Sequence, residues 1–180
     1  MLPLLLLSIL PAAQTLRVEH GGRVSRTPVD CAAAVTIALP NARVTAVNVV
    51  QPTDSLRALG QRHCRVEATI DEETHIVALL PNEWNGQFLM GGAGGYVGAV
   101  QNQFESTVHE GYATVGADAA HSAFSLSAAW ALHDDTCVAD YAHRSVHHTA
   151  EVTKLLIAAY DGRSPEHSFF IGCWGRSACC

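Results

Sequence analysis

The residues with the clearest chemical potential lie near the end of the sequence. Ser168-Phe169-Phe170-Ile171 reads as a short buried strand and runs directly into Gly172-Cys173-Trp174-Gly175. A strand that breaks into a sharp turn between small residues is one way to expose a nucleophile above a sheet. The position where a hydroxyl would be expected carries Trp174, whose indole has no nucleophilic group and whose bulk would collide with such a turn. Ser177 falls three residues late, beyond Arg176, and does not have the right offset. A second candidate is the stretch Gly91-Gly92-Ala93-Gly94-Gly95-Tyr96-Val97-Gly98. Glycines let a backbone approach a ligand closely, so its N–H groups could face an oxyanion. A dinucleotide fingerprint would need GxGxxG, but in the frame starting at Gly92 the third glycine, Gly98, comes one place late. A tight turn with a purely structural purpose would use the same residues.

Other reactive side chains give weaker signals. His143 and His147 are i, i+4 neighbours on a long helical pattern and could share a metal ion. HExxH is absent and no third ligand recurs at regular spacing, so a solvated helix face is expected and no metal site is assigned. Asp118 and His121 follow a strand and are expected to hydrogen-bond loops around a site, with a direct part in the reaction as the alternative. Of six cysteines, Cys31 and Cys64 stand thirty-three positions apart in a polar, loop-rich region and form the candidate disulfide. Cys137 precedes a helix with no obvious partner, and Cys173, Cys179 and Cys180 crowd the terminus without a CxxC.

The elements that must position these residues follow from the hydrophobic pattern. Val44 to Val50 is a strand. Cys64 to Ile70 alternates like a half-buried strand, and His75 to Leu80 returns across Asp71-Glu72-Glu73 as its hairpin partner, with Pro81 as the stop. Ser55 to Leu59 suggests one helical turn, and Phe88-Leu89-Met90 is a buried strand that opens into the glycines. A helix is expected within Val97 to His109, then a strand over Tyr112 to Ala117. His121 to His133 is irregular, with Trp130 buried. The strongest helix runs from Asp140 to Tyr160, with Val146, Ala150, Thr153, Ile157 and Tyr160 on one face and Asp161-Gly162 as its stop. Strand, helix, strand in this order predicts a parallel βαβ unit and an α/β sheet.

At 180 residues the chain suits one domain, and 48% hydrophobic against 16% charged residues is ample for a core. A net charge of −6 without any basic stripe argues against nucleic acid. Met1 to Leu10 has the length of a signal-peptide apolar region, with small residues at Ala12 and Ala13, so residues 1–13 are expected to be removed on export. That run is too short to span a membrane.

Five segments together resemble the tannase/feruloyl esterase family of α/β-hydrolases. Pro81-Asn82-Glu83-Trp84-Asn85-Gly86 followed by Gly91 to Tyr96 is similar to its "LP…WNG" strand and glycine-rich oxyanion loop. Cys64-Arg65-Val66 is similar to an early "CRV" strand. Gly111-Tyr112-Ala113 with Asp118 and His121 resembles its "GYA…D…GH" segment, with Ala120 in place of the usual glycine. Arg144 to His147 through Tyr160 resembles the helix before the nucleophile, and Ser168 to Cys173 its "S-Y/F-F-x-G-C" strand.

The resemblance implies an incomplete α/β-hydrolase domain over residues 64–180, preceded by a β-rich segment over 14–63. It implies a secreted or periplasmic serine esterase acting on small aromatic-acid esters, with no cofactor and no membrane or nucleic-acid partner. Backbone N–H groups at Gly94 and Gly95 would be the oxyanion donors. The family's serine position is Trp174, and its aspartate and histidine would lie downstream, so this chain is expected to be inactive. A non-catalytic secreted binding module is the alternative.

Overall fold

The computed structural model describes residues 29–52, 61–71, 73–92, 95, 98–102, 104–121 and 128–172. The expected signal segment, the turn at Ser55, Gly94, Trp174, Ser177 and the three terminal cysteines lie outside them. Six strands form one mixed sheet: β1 (Ala42–Val50), β2 (His63–Ile70), β3 (Thr74–Pro81), β4 (Gln87–Gly91), β5 (Ala113–Ala117) and β6 (His167–Ile171), in the order β1-β2-β3-β5-β4-β6. The first three strands and β5 pair antiparallel, whereas β4 runs parallel to β5 on one side and to β6 on the other.

Local chemistry accounts for these strands. In β2, Cys64, Val66, Ala68 and Ile70 are buried and the alternating Arg65, Glu67 and Thr69 are partly exposed, as a sheet with one wet face requires. The hairpin to β3 forms as the alternation predicts, although Pro81 is the last paired residue of β3 rather than a residue beyond it. β5 is buried along its whole length, and its small residues Ala113, Gly116 and Ala117 suit a central strand covered on both faces.

Helices α1 (Asp135–Ala139) and α2 (Ser145–Asp161) flank a π-helical stretch at Asp140–Arg144. The helical region therefore begins five residues before the pattern suggested. α2 packs against β5, β3 and β2. Its buried face carries Ser145, Thr149, Val152, Thr153, Leu156, Ile157 and Tyr160, whereas Val146 and Ala150 are only partly covered. The helix expected within Val97 to His109 is, among the described residues, a 3₁₀ helix at Glu105–Glu110, ended by Gly111 in the left-handed region at φ 89°. Trp130, expected in the core, is half-buried. β6 also departs from expectation. Phe169 and Ile171 are 45% and 44% exposed, because among the described residues β6 is an edge strand with a partner on one side.

The Cys31–Cys64 disulfide is formed and ties the 3₁₀ turn Cys31–Thr36 to the start of β2. At the same end of the sheet, Val29 N–H donates to the Tyr160 carbonyl at 2.9 Å.

Asp161 closes α2 and is buried, and its Oδ2 has no hydrogen-bond partner among the described residues. Burial pushes its pKa up to about 7, with Arg163 pulling the other way. A carboxylate at a helix C-terminus also meets the negative end of the helix dipole. The folded pKa exceeds the unfolded one, so the protonated folded state contributes its full stability below about pH 4, and that stability is lost as pH rises through about 7. Asp161→Asn is expected to raise stability at pH 8 by about 2 kcal/mol, discounted for partial solvation, and to leave it unchanged at pH 4. Thermal melts of parent and variant across this range check the prediction, and equal slopes would refute it.

Candidate functional site

The connection from β4 to β5 runs one way across the sheet, and that from β5 to β6 returns over β4 to its other side. Reversal at β4 makes the carboxyl ends of the parallel strands a topological switch point, where open α/β sheets bind ligands in a crevice. Both glycine segments found in the sequence meet there. Gly92 N–H donates to the Ile171 carbonyl at 2.8 Å. A Cβ on Gly92 would stand 3.0 Å from the Gly172 Cα, so the backbones leaving β4 and β6 touch.

Gly95 has φ +59°, a conformation that favours glycine. Its carbonyl accepts a 2.7 Å hydrogen bond from the Tyr141 hydroxyl, which fixes one peptide plane of the loop. Tyr141 lies in the π-helical stretch, a distortion frequent at functional sites. Its ring packs against Trp130 at 5.0 Å and His121 at 5.6 Å, and His121 stacks on Trp130 at 4.2 Å.

His121 is presented by an unusual turn. Ala119 and Ala120 both have positive φ, 63° and 59°, which costs alanine on the order of 1 kcal/mol each. The φ at Ala120 explains why glycine suits that position in the resembled pattern. Asp118 braces the turn. Its Oδ1 accepts from the N–H groups of His75 (3.0 Å) and Ala120 (3.1 Å), and its Oδ2 lies 2.8 Å from His75 Nδ1. The loop's exit crosses back over β5: Gln101 bridges Ala117, and Asn102 Nδ2 donates to the buried Thr114 hydroxyl at 2.8 Å.

Of the sequence candidates, Asp118 and His121 do join Gly95 at one sheet edge, through loops as expected. His147 instead stands 3.3 Å from Glu151, and His148 2.6 Å from Asp71. The disulfide lies at the far end of the sheet. Trp84, Asn85 and Gly86 also lie far from the crevice and lock the start of β4. The Trp84 indole donates to the Gln87 carbonyl, Asn85 N–H to the Gly111 carbonyl, and the Gly86 carbonyl accepts from Glu166. Tyr141, His75 and Asn102 carried no motif and were not singled out in the sequence. For Tyr141 the one local signal is an aromatic residue beside Asp140 on a helix.

At the mouth of this edge, Asp134 caps α1 by accepting from Cys137 N–H at 3.0 Å, which holds its carboxyl below the ordinary range. Burial, then the Asp134 bond, pushes the Cys137 thiol up, so it stays protonated and is a poor nucleophile. The described residues contain no group of three or more His, Cys, Asp or Glu able to hold a metal ion.

Tyr141→Phe is expected to free the Gly95 carbonyl and to speed amide hydrogen exchange in the glycine-rich segment about tenfold, the equivalent of one hydrogen bond. Unchanged exchange would show that the hydroxyl does not hold the loop.

The family model described as "Tannase and feruloyl esterase" matches residues 57–179. A probable feruloyl esterase from Arthroderma benhamiae is 31% identical over 94% of this chain and 36% of its own length. The crystal structure of an esterase from Aspergillus oryzae aligns with a TM-score of 0.67 and 28% identity, covering 79% of this chain and 32% of that one. Feruloyl esterase B from Aspergillus oryzae aligns with a TM-score of 0.66 and 25% identity over the same shares of each chain. The chain thus spans about a third of the length of the relatives it matches. A partial α/β-hydrolase sheet, a glycine loop at its switch point and these similarities agree: the chain belongs to the tannase and feruloyl esterase family.

Proposed function

We propose that this chain is part of a secreted serine carboxylic ester hydrolase for esters of aromatic acids, and that the chain as it stands does not turn such esters over. The observation that carries the reading is the contact between Gly92 and Gly172, which puts a glycine-rich loop beside the strand end where this family's serine would follow. In that arrangement a serine attacks the ester carbonyl, a histidine takes its proton, and loop N–H groups at Gly94 and Gly95 receive the developing oxyanion. One such donor is worth about 3 kcal/mol of transition-state stabilisation. In the sequence Trp174 stands where the family's serine is expected, and an indole cannot form the acyl-enzyme.

Secretion is supported by the apolar run at Met1–Leu10 and by the disulfide, which persists in oxidising compartments. Among the described residues no helix is long and apolar enough to cross a membrane. The aromatic ester would lie against the half-buried rings of Tyr141 and Trp130, which pack on each other beside Gly95.

Incubating the purified chain with methyl ferulate and with an aryl acetate tests both parts. Expected is no acid release above buffer, together with saturable perturbation of the Trp130 and Tyr141 signals by the aromatic ester. Turnover abolished by a serine-directed inhibitor would overturn the inactivity. No perturbation by any aromatic ester would overturn the substrate class.

A further inference from the structure

We propose that the outer face of β1, β2 and β3 carries a binding site for a carboxylate group, centred on Arg43. The antiparallel registers pair Arg43 with Thr69 and Thr69 with His75, so the three residues lie side by side on one face of the sheet. They line a cleft of about 880 Å³ together with Asn41 and Asp71. Two strand spacings separate Arg43 from His75, about 10 Å, which suits a small polar ligand.

Partners within the cleft single out Arg43 as the group left to meet a ligand. Asp71 is engaged by His148 at 2.6 Å, and His75 is engaged through Nδ1 by Asp118 at 2.8 Å. Arg43 has no ion pair among the described residues, although the chain as a whole has an excess of acidic groups. An unpaired guanidinium offers a planar fork of donors that fits a carboxylate bidentately. The Thr69 hydroxyl and the Asn41 amide supply neutral hydrogen-bonding partners next to it.

His75 also orders the site, because its Nδ1 contact to Asp118 fixes the ring and leaves Nε2 as the remaining polar atom of the imidazole. The cleft lies at the same end of the sheet as Gly92. β3, β2 and β1 follow one another outward from β5, so a ligand in the cleft stands one or more strand spacings beyond the crevice. The carboxylate could come from an acidic sugar or from a small free organic acid. Binding here is independent of ester cleavage, so its failure would leave the esterase reading untouched.

The test is a titration of the ¹⁵N-labelled full chain with sodium glucuronate, glucose and sodium acetate, each on the parent, Arg43→Ala and Arg43→Lys. Expected is saturable movement of the amides of Arg43, Thr69 and His75 with glucuronate at millimolar concentrations and none with glucose. Arg43→Ala should weaken binding at least tenfold, and Arg43→Lys should fall between, because it keeps charge without the fork. Arg43 is exposed, so both variants should melt like the parent. Acetate acting as strongly as glucuronate would support the site and identify a free acid as its ligand. A weaker acetate response would support the site and favour the sugar. Equal responses to glucose and glucuronate, no response to either anion, or full binding by Arg43→Ala would overturn the proposal.

Discussion

Gly116→Ala is expected to cost about 3 kcal/mol, at the upper end of what a single added methyl group does in a packed interior. A Cβ at this position would stand 2.2 Å from the Gln101 carbonyl oxygen and 2.8 Å from the Asn102 nitrogen. Both contacts are backbone atoms, so no rotamer change relieves them. Either β5 bows away from β3, with which Gly116 is paired through Val77, or the segment from Gly98 to Asn102 lifts off the sheet. The second response would break the bridge between Gln101 and Ala117 and the hydrogen bond from Asn102 to Thr114. Because that segment is the exit of the glycine-rich loop, the damage should spread to Gly95. In a chain of this size the cost corresponds to a fall in melting temperature of about 10 °C. A variant melting within about 1 °C of the parent would show that the crossing over β5 is not as described.

The second large effect concerns the opposite end of the sheet. Replacing Cys31 and Cys64 together by serine should lower stability by about 4 kcal/mol, since the disulfide closes a loop of thirty-three positions in the unfolded chain. In the folded state Cys31, Ala34 and Cys64 lie in the core cluster, so the loss falls on packing as well as on chain entropy. The 3₁₀ turn at Cys31–Thr36 packs on β1 and β2 and should loosen first, while the crevice at the other end keeps its geometry. Reduction of the parent with dithiothreitol should reproduce the double variant. Identical denaturant midpoints for oxidised and reduced parent would contradict the role assigned to the bond.

Much of the sheet could be read from the sequence because its signals are local. The alternation from Cys64 to Ile70 and from His75 to Leu80 admits only a hairpin with Val66, Ala68, Ile76 and Ala78 inward, and this is the observed register. The glycines after Met90 and after Ile171 likewise mark where two strands stop. The failures have a common cause. Phe169 and Ile171 are apolar enough to predict burial, yet burial depends on what flanks the strand, and among the described residues β6 has β4 on one side only. Gln101 and Asn102 pass directly over Gly116, a close approach that composition does not announce.

The resembled motifs divide in a similar way. Trp84, Asn85 and Gly86 are prominent as a pattern, but their observed work is to fasten the start of β4 to Gly111 and to the segment before β6. Arg163 supports them by lying 4.4 Å over the Trp84 ring and pairing with Glu166 at 2.8 Å. Tyr141 belongs to no pattern and yet holds the Gly95 carbonyl.

The sequence by itself determined the α/β class, the hairpin, the family resemblance, the disulfide partners and the presence of Trp174 where a serine is expected. Each rests on periodicity, residue type or spacing along the chain, which needs no knowledge of distant neighbours. Only the tertiary structure decided that Gly92 meets Gly172, that Asp118 braces two strained alanines before His121, and that Arg43, Thr69 and His75 share one cleft. Those facts join residues brought together by strand register and by the reversal of connections at β4. Register and crossover are settled by packing of the whole sheet, and no local stretch of sequence encodes them.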